Sequence, residues 1–92
     1  MTKILRTAII GYGVVGKRRK LFIERNKNYK LLYISDIKLK KNIKNKSITF
    51  FKNYKEILKQ NVDVVFITLP TYLAARVTLE FIKRGIHVFC EK

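Results

Sequence analysis

Apolar residues in this chain fall into short unbroken runs separated by longer amphipathic stretches. Ala8-Ile9-Ile10 and Val64-Val65-Phe66-Ile67 show no polar alternation, the pattern of strands buried on both faces of a parallel sheet. Extended to their polar limits, the runs predict strands over Lys3–Ile10, Tyr29–Ser35, Ser47–Phe51, Val62–Thr68 and Ile86–Cys90. Val14 to about Asn26 reads as a helix, with Val15, Phe22 and Ile23 facing the sheet. A second helix starts at Pro70 and Thr71, with Thr71 as its cap. Leu73, Ala74, Val77, Phe81 and Ile82 form its buried stripe, and Gly85 follows its end. Asn53, with Glu56 in the capping-box position, precedes a helical turn over Tyr54–Gln60. Ile37–Lys46 has only Ile37, Leu39 and Ile43 as apolar positions and reads as a short helix or a loop.

The first strand runs directly into Gly11-Tyr12-Gly13-Val14-Val15-Gly16, a G-x-G-x-x-G turn followed by a helical pattern. In a dinucleotide-binding turn each glycine has its own task. Gly11 permits the sharp bend, Gly13 lets the backbone approach a pyrophosphate, and Gly16 lets the helix lie close on the sheet. The helix start offers unpaired N–H groups and the positive end of its dipole to phosphates. Asp36 follows Gly16 by about 20 residues, where such units carry a carboxylate for the adenosine ribose hydroxyls. A carboxylate there repels a 2′-phosphate and favours NAD over NADP, unless Lys38 compensates. The competing reading has Asp36 capping the segment that follows. Strands alternating with helices imply an α/β fold, a Rossmann-type doubly wound parallel sheet of five strands in the order 3-2-1-4-5. Ligands bind such sheets beyond the C-terminal strand ends, where the glycine turn, Asp36, Thr68-Leu69-Pro70 and Glu91-Lys92 all fall.

Length changes the picture little: 92 residues make one small domain. Charge changes it more, because 21 basic residues oppose six acidic ones for a net charge of +15. Such a charge attracts nucleic acid or anionic membrane surfaces. The basic residues are dispersed, however, and Lys greatly outnumbers Arg. The reading is therefore a basic protein with solvated lysines and no specific nucleic-acid partner. The run Lys17-Arg18-Arg19-Lys20 opposes the helix dipole; it is a solvated face or an aid to holding pyrophosphate, with an arginine the better phosphate partner. No apolar run approaches the roughly 20 residues of a membrane helix, so no membrane partner is expected. Cys90 is the only cysteine, so no internal disulfide can form, and a cytoplasmic location is expected. One Cys and one His cannot build a structural zinc site. His87 and Cys90 read as structural residues of an apolar strand, Asp63 as solvated, and Tyr29 and Tyr33 as sheet packing.

Three segments together resemble the nucleotide-binding domain of the Gfo/Idh/MocA oxidoreductases. They are Ile9-Ile10-Gly11-Tyr12-Gly13-Val14-Val15-Gly16, Val62-Asp63-Val64-Val65-Phe66-Ile67-Thr68-Leu69-Pro70, and Arg84-Gly85-Ile86-His87-Val88-Phe89-Cys90-Glu91-Lys92. The last is the most specific, and the likeness spans nearly the whole chain. The resemblance implies that Gly11, Tyr12, Gly13, Val14, Val15 and Gly16 wrap the pyrophosphate of NAD, with NADP the alternative. It implies that Asp36 and Ile37 meet the adenosine and that Thr68, Leu69 and Pro70 line the cleft, with Thr71 and Tyr72 beside them. Glu91 would lie near the nicotinamide ribose. Lys92 matches the lysine that orients and polarises the reacting hydroxyl and is the candidate catalytic residue. Three positions depart from the family pattern: Ala74 stands where His is frequent, Thr71 where Asn is common, and Ile37–Lys46 is shorter than the usual second helix.

The resemblance further implies hydride transfer between nicotinamide and a hydroxyl or carbonyl carbon of a sugar, polyol or sugar nucleotide. Residues 1–92 would be the dinucleotide-binding domain of a longer, homo-oligomeric enzyme. The substrate domain is absent from this chain, so the 92 residues alone would not catalyse. The alternative from another class is a stand-alone, non-catalytic nucleotide-binding or interaction module.

Overall fold

The computed structural model describes residues 3–91. Lys92, the candidate catalytic residue, lies outside the described residues. Six strands form one sheet: β1 (Leu5–Ile10), β2 (Tyr29–Ser35), β3 (Ile43–Asn45), β4 (Ile48–Phe51), β5 (Val64–Ile67) and β6 (His87–Cys90). The helices are α1 (Val14–Arg25), a single turn α2 (Lys55–Leu58) and α3 (Thr71–Ile82). The strand order is β3-β4-β2-β1-β5-β6. Five of these strands are parallel and keep the expected order, with β1 central between β2 and β5.

The sixth strand corrects the expectation for Ile37–Lys46. That segment is neither helix nor plain loop. Its end forms β3, which turns back antiparallel onto β4 through Lys46-Ser47. Lys46 adopts φ +57°, the positive value that tight hairpins require in their loop. All three residues of β3 are exposed, so no apolar face marks it in the sequence.

The double-sided core follows from the strand period of two. Ala8, Ile10, Val65 and Ile67 point to one face, against Ala74, Val77 and Phe81 of α3 and Ile57 of α2. Ile9, Ile34, Val64 and Phe66 point to the other, where Ile23 of α1 covers them. Tyr29 packs edge-on against Phe66 and Tyr33 stacks on Phe51, as sheet residues should.

Several edges of the reading change. Phe22 and Ile82 are exposed rather than buried, because each lies to the side of the stripe that its helix turns inward. His87 and Cys90 are exposed because β6 is the last strand, with β5 beside it on one side and no further strand on the other among the described residues. Asp63 is not solvated. It accepts hydrogen bonds from the Arg6 backbone N–H and from both arms of the Arg6 guanidinium, at 2.8–3.0 Å. These bonds hold its carboxyl well below the usual carboxylate range. Pro70, not Thr71, occupies the α3 cap position, and no side chain caps that end. Asn53 accepts the Lys55 N–H at 2.9 Å, so it still opens the short α2.

Candidate cofactor site

The exits of the five parallel strands are joined in one row of four main-chain hydrogen bonds. Asp36 N–H donates to Phe51 O, Gly11 N–H to Ser35 O, Thr68 N–H to Ile10 O, and Glu91 N–H to Ile67 O, each at 2.9–3.1 Å. The ladder thus continues one residue beyond the strands. It brings the glycine turn, the acid after β2, the threonine after β5 and the glutamate after β6 onto one edge.

At the centre of that edge the chain bends from β1 into α1. Gly11 has φ +95°, where a side chain is strained, and an added Cβ would also meet Thr68 O at 3.0 Å. Gly16 lies so close beneath the turn that a Cβ there would come within 2.2 Å of Gly11 O. Gly13 is the opposite case: a Cβ would meet nothing within 4 Å. The turn is therefore tight behind and open in front. The first main-chain bond of α1 runs from Lys17 N–H to Gly13 O. The amides of Val14, Val15 and Gly16 precede it, without intrahelical partners by the geometry of a helix start. They carry the positive end of the helix dipole. No acidic residue occupies this first turn, so a bound anion would meet no like charge from the helix.

Asp36 stands beside the turn. Its Oδ2 accepts the Tyr12 N–H at 3.0 Å and its Oδ1 the Lys38 N–H at 2.9 Å. The Lys38 bond is the capping role weighed above, and the Tyr12 bond ties the carboxylate to the glycine turn as well. Each oxygen keeps a free lone-pair direction for a further donor. Tyr12 is itself braced, edge-on to Phe50 at 5.8 Å, with the Lys17 ammonium 5.7 Å from its ring centre.

In front of the turn opens a cleft of about 350 Å³. Gly11, Tyr12, Gly13, Asp36 and Ile37 form one wall, and Thr68, Leu69, Pro70 and Tyr72 the other. Leu73 and Val77 from α3 and Tyr54 from before α2 also line it, together with two cations near Asp36 in the sequence and fold, Lys38 and Lys52. The lining combines apolar side chains (Ile37, Leu69, Pro70, Leu73, Val77) with Asp36 and two lysines, a mixture suited to a phosphate-linked aromatic ring.

Residues 5–92 match the family model described as the oxidoreductase family, NAD-binding Rossmann fold. The chain belongs to the Gfo/Idh/MocA family. An uncharacterized oxidoreductase, YrbE, of Bacillus subtilis is 34% identical across all of this chain but only 28% of its own length. The structure of myo-inositol 2-dehydrogenase from Lactobacillus plantarum superposes with a TM-score of 0.80 at 28% identity, over 98% of this chain and 28% of that one. The WlbA dehydrogenase of Bordetella pertussis, solved with NADH and UDP-GlcNAcA, shares the fold at TM-score 0.81 and 21% identity, over 98% of this chain and 29% of that one. The chain therefore spans less than a third of the relatives it matches.

Within this Gfo/Idh/MocA domain, most of the residues singled out in the sequence sit on one edge. Thr71 and Val14 are exposed, and Val15 is half-buried. Glu91 lies beyond the cleft lining, at the β6 exit, paired with Arg19. Leu73 and Val77 were legible only as packing residues and Tyr54 only as the start of a helical turn, yet all three also shape the cleft. The Tyr54 phenol is pushed up to about 12 by burial first and then by the Glu80 carboxylate beside it. The phenol therefore keeps its proton and carries no charge at neutral pH. Among the described residues no group of His, Cys, Asp or Glu could hold a metal ion, and no helix is long and apolar enough to cross a membrane.

Proposed function

We propose that residues 1–92 form the NAD-holding domain of a longer oxidoreductase. In this reading the diphosphate rests against the amides of Val14, Val15 and Gly16, over Gly13. The observation that carries the reading is the asymmetry of the turn: no room behind Gly16 and open space before Gly13. Those features fit a diphosphate, which needs close main-chain approach and unpaired N–H donors.

Asp36 accepts the adenosine ribose hydroxyls with its remaining lone pairs and disfavours a 2′-phosphate, so NAD is preferred to NADP. Ile37, Leu69, Pro70 and Tyr72 enclose the adenine, with Thr71 at the rim. Thr68 holds the turn through its hydroxyl, which donates to Gly11 O. Glu91 faces the nicotinamide ribose, and Lys92 orients and polarises the reacting hydroxyl. When bound, the nicotinamide supplies the hydride chemistry, and the protein supplies orientation and field. The substrate class is a sugar, polyol or sugar nucleotide, held by a second domain in a homo-oligomeric, cytoplasmic enzyme. Calorimetric titration of the chain with NADH and NADPH tests the reading. Saturable binding with NADH the tighter ligand is expected, and binding of neither ligand refutes it.

A further inference from the structure

The four-residue basic run at the start of α1 has no task in the reading above, although cations there oppose the helix dipole. The structure divides the run into separate contacts. Lys17 lies over the Tyr12 ring, Lys20 pairs with Glu24 at 3.0 Å, and Arg18 is exposed. Arg19 alone among them reaches a distant element. Its guanidinium pairs with Glu91, the residue after β6, and lies over the Phe22 ring, 5.6 Å from its centre. Arg19 follows Val15 by one helical turn, on the face of α1 turned toward the sheet, which is why it can reach the β6 exit.

That exit has few other restraints. β6 is a four-residue strand at the sheet edge, mostly exposed. Beyond its ladder, Glu91 is fixed by its N–H to Ile67 O and by Arg19. The pair is neither fully exposed nor buried, with the two side chains 30% and 26% exposed, so water screens it only in part.

We infer that Arg19 is a positioning residue that holds Glu91, and with it the β6 exit, against the helix whose start faces the diphosphate. The inference rests on the proposed NAD reading. In a doubly wound sheet the dinucleotide lies across the switch point. With the adenosine at Asp36 on the β2 side, the nicotinamide half lies on the β5–β6 side. Arg19 therefore acts on that half alone. Its charge is engaged by a carboxylate and is not offered to the phosphates.

ADP-ribose separates these roles, since it keeps the adenosine and diphosphate but lacks nicotinamide. Affinities for NADH and ADP-ribose are measured calorimetrically for the wild type, Arg19→Ala, Arg19→Lys, Glu91→Gln and the Arg19→Ala/Glu91→Gln double variant. Thermal melts confirm folding. Arg19→Ala and Glu91→Gln should each weaken NADH about three- to fivefold, the scale of a partly screened ion pair, and leave ADP-ribose unchanged. The double variant should be no weaker than either single one, and Arg19→Lys should recover part of the loss. Equal losses for both ligands would make Arg19 a phosphate ligand and overturn the inference. Additive losses in the double variant, or unchanged NADH affinity in folded variants, would overturn it as well. A wild-type chain that binds neither ligand removes the NAD reading itself. Ligand binding that ignores both substitutions removes only the role of Arg19.

Discussion

The Thr68 hydroxyl donates to the Gly11 carbonyl at 2.5 Å, with Ile10 O at 3.3 Å. The exit of β5 thus fastens the glycine turn at the exit of β1, a contact that ties the fold to the site. Thr68→Val keeps the shape but leaves the Gly11 carbonyl without this donor. A stability loss of about 1 kcal/mol is expected from one partly buried hydrogen bond, together with weaker NADH binding. Thr68→Ser should retain both. Denaturant unfolding and NADH titration of the two variants check the pair.

Gly13 and Gly16 should respond to alanine in opposite ways. Gly16→Ala forces a Cβ to within 2.2 Å of Gly11 O, and overpacking of this kind costs about 1–3 kcal/mol. Gly13→Ala meets no atom within 4 Å, so its melting temperature should stay near wild type while NADH binding falls. Equal affinity for NADH in Gly13→Ala and wild type would place the diphosphate elsewhere.

Asp36→Ala removes a charged acceptor from the ribose end of the cleft. Hydrogen bonds to a charged group contribute about 1.5–3 kcal/mol, so NAD affinity should fall about tenfold or more. NADP affinity should rise, since the carboxylate that repels its 2′-phosphate is gone. Parallel calorimetry with the two cofactors gives the ratio. An unchanged NAD affinity would mean that Asp36 serves only Tyr12 and Lys38.

Asp63 and Tyr54 each make stability depend on pH. Asp63 titrates lower in the fold than in the open chain because Arg6 binds its charged form. Its contribution is therefore complete above the ordinary carboxylate pKa of about 4 and fades as the pH falls further. Asp63→Asn should flatten the acid limb of a melting-temperature profile. Tyr54 is raised to about 12 in the fold, so its contribution is complete below the ordinary phenol value of about 10 and fades as the pH rises toward 12. Tyr54→Phe should flatten the alkaline limb.

β1 and β5 were legible because their runs are apolar toward both faces, a demand few other structures make. The glycine turn and Asp36 were legible because main-chain geometry constrains residue type and spacing there. β3 was not, since Ile43-Lys44-Asn45 is exposed and gains its structure from pairing with β4 rather than from burial. Periodicity located α1 and α3 but not the exact width of their buried stripes, and so misplaced Phe22 and Ile82. Strand type could be read for His87 and Cys90, but position within the sheet could not, and an edge exposes what a centre buries. The Arg6–Asp63 and Arg19–Glu91 pairs join residues remote in the chain. No local pattern announces such contacts, because folding alone brings their partners together.

The central claim is that a diphosphate lies on the main-chain amides at the start of α1. NADH titration of the ¹⁵N-labelled chain, followed through its backbone amide signals, tests it most directly. The account predicts saturable shifts centred on Gly13, Val14, Val15 and Gly16, with smaller ones at Asp36 and Thr68. Saturation that leaves those amides unmoved, or shifts confined to the lysine-rich surface and abolished by moderate salt, would contradict it.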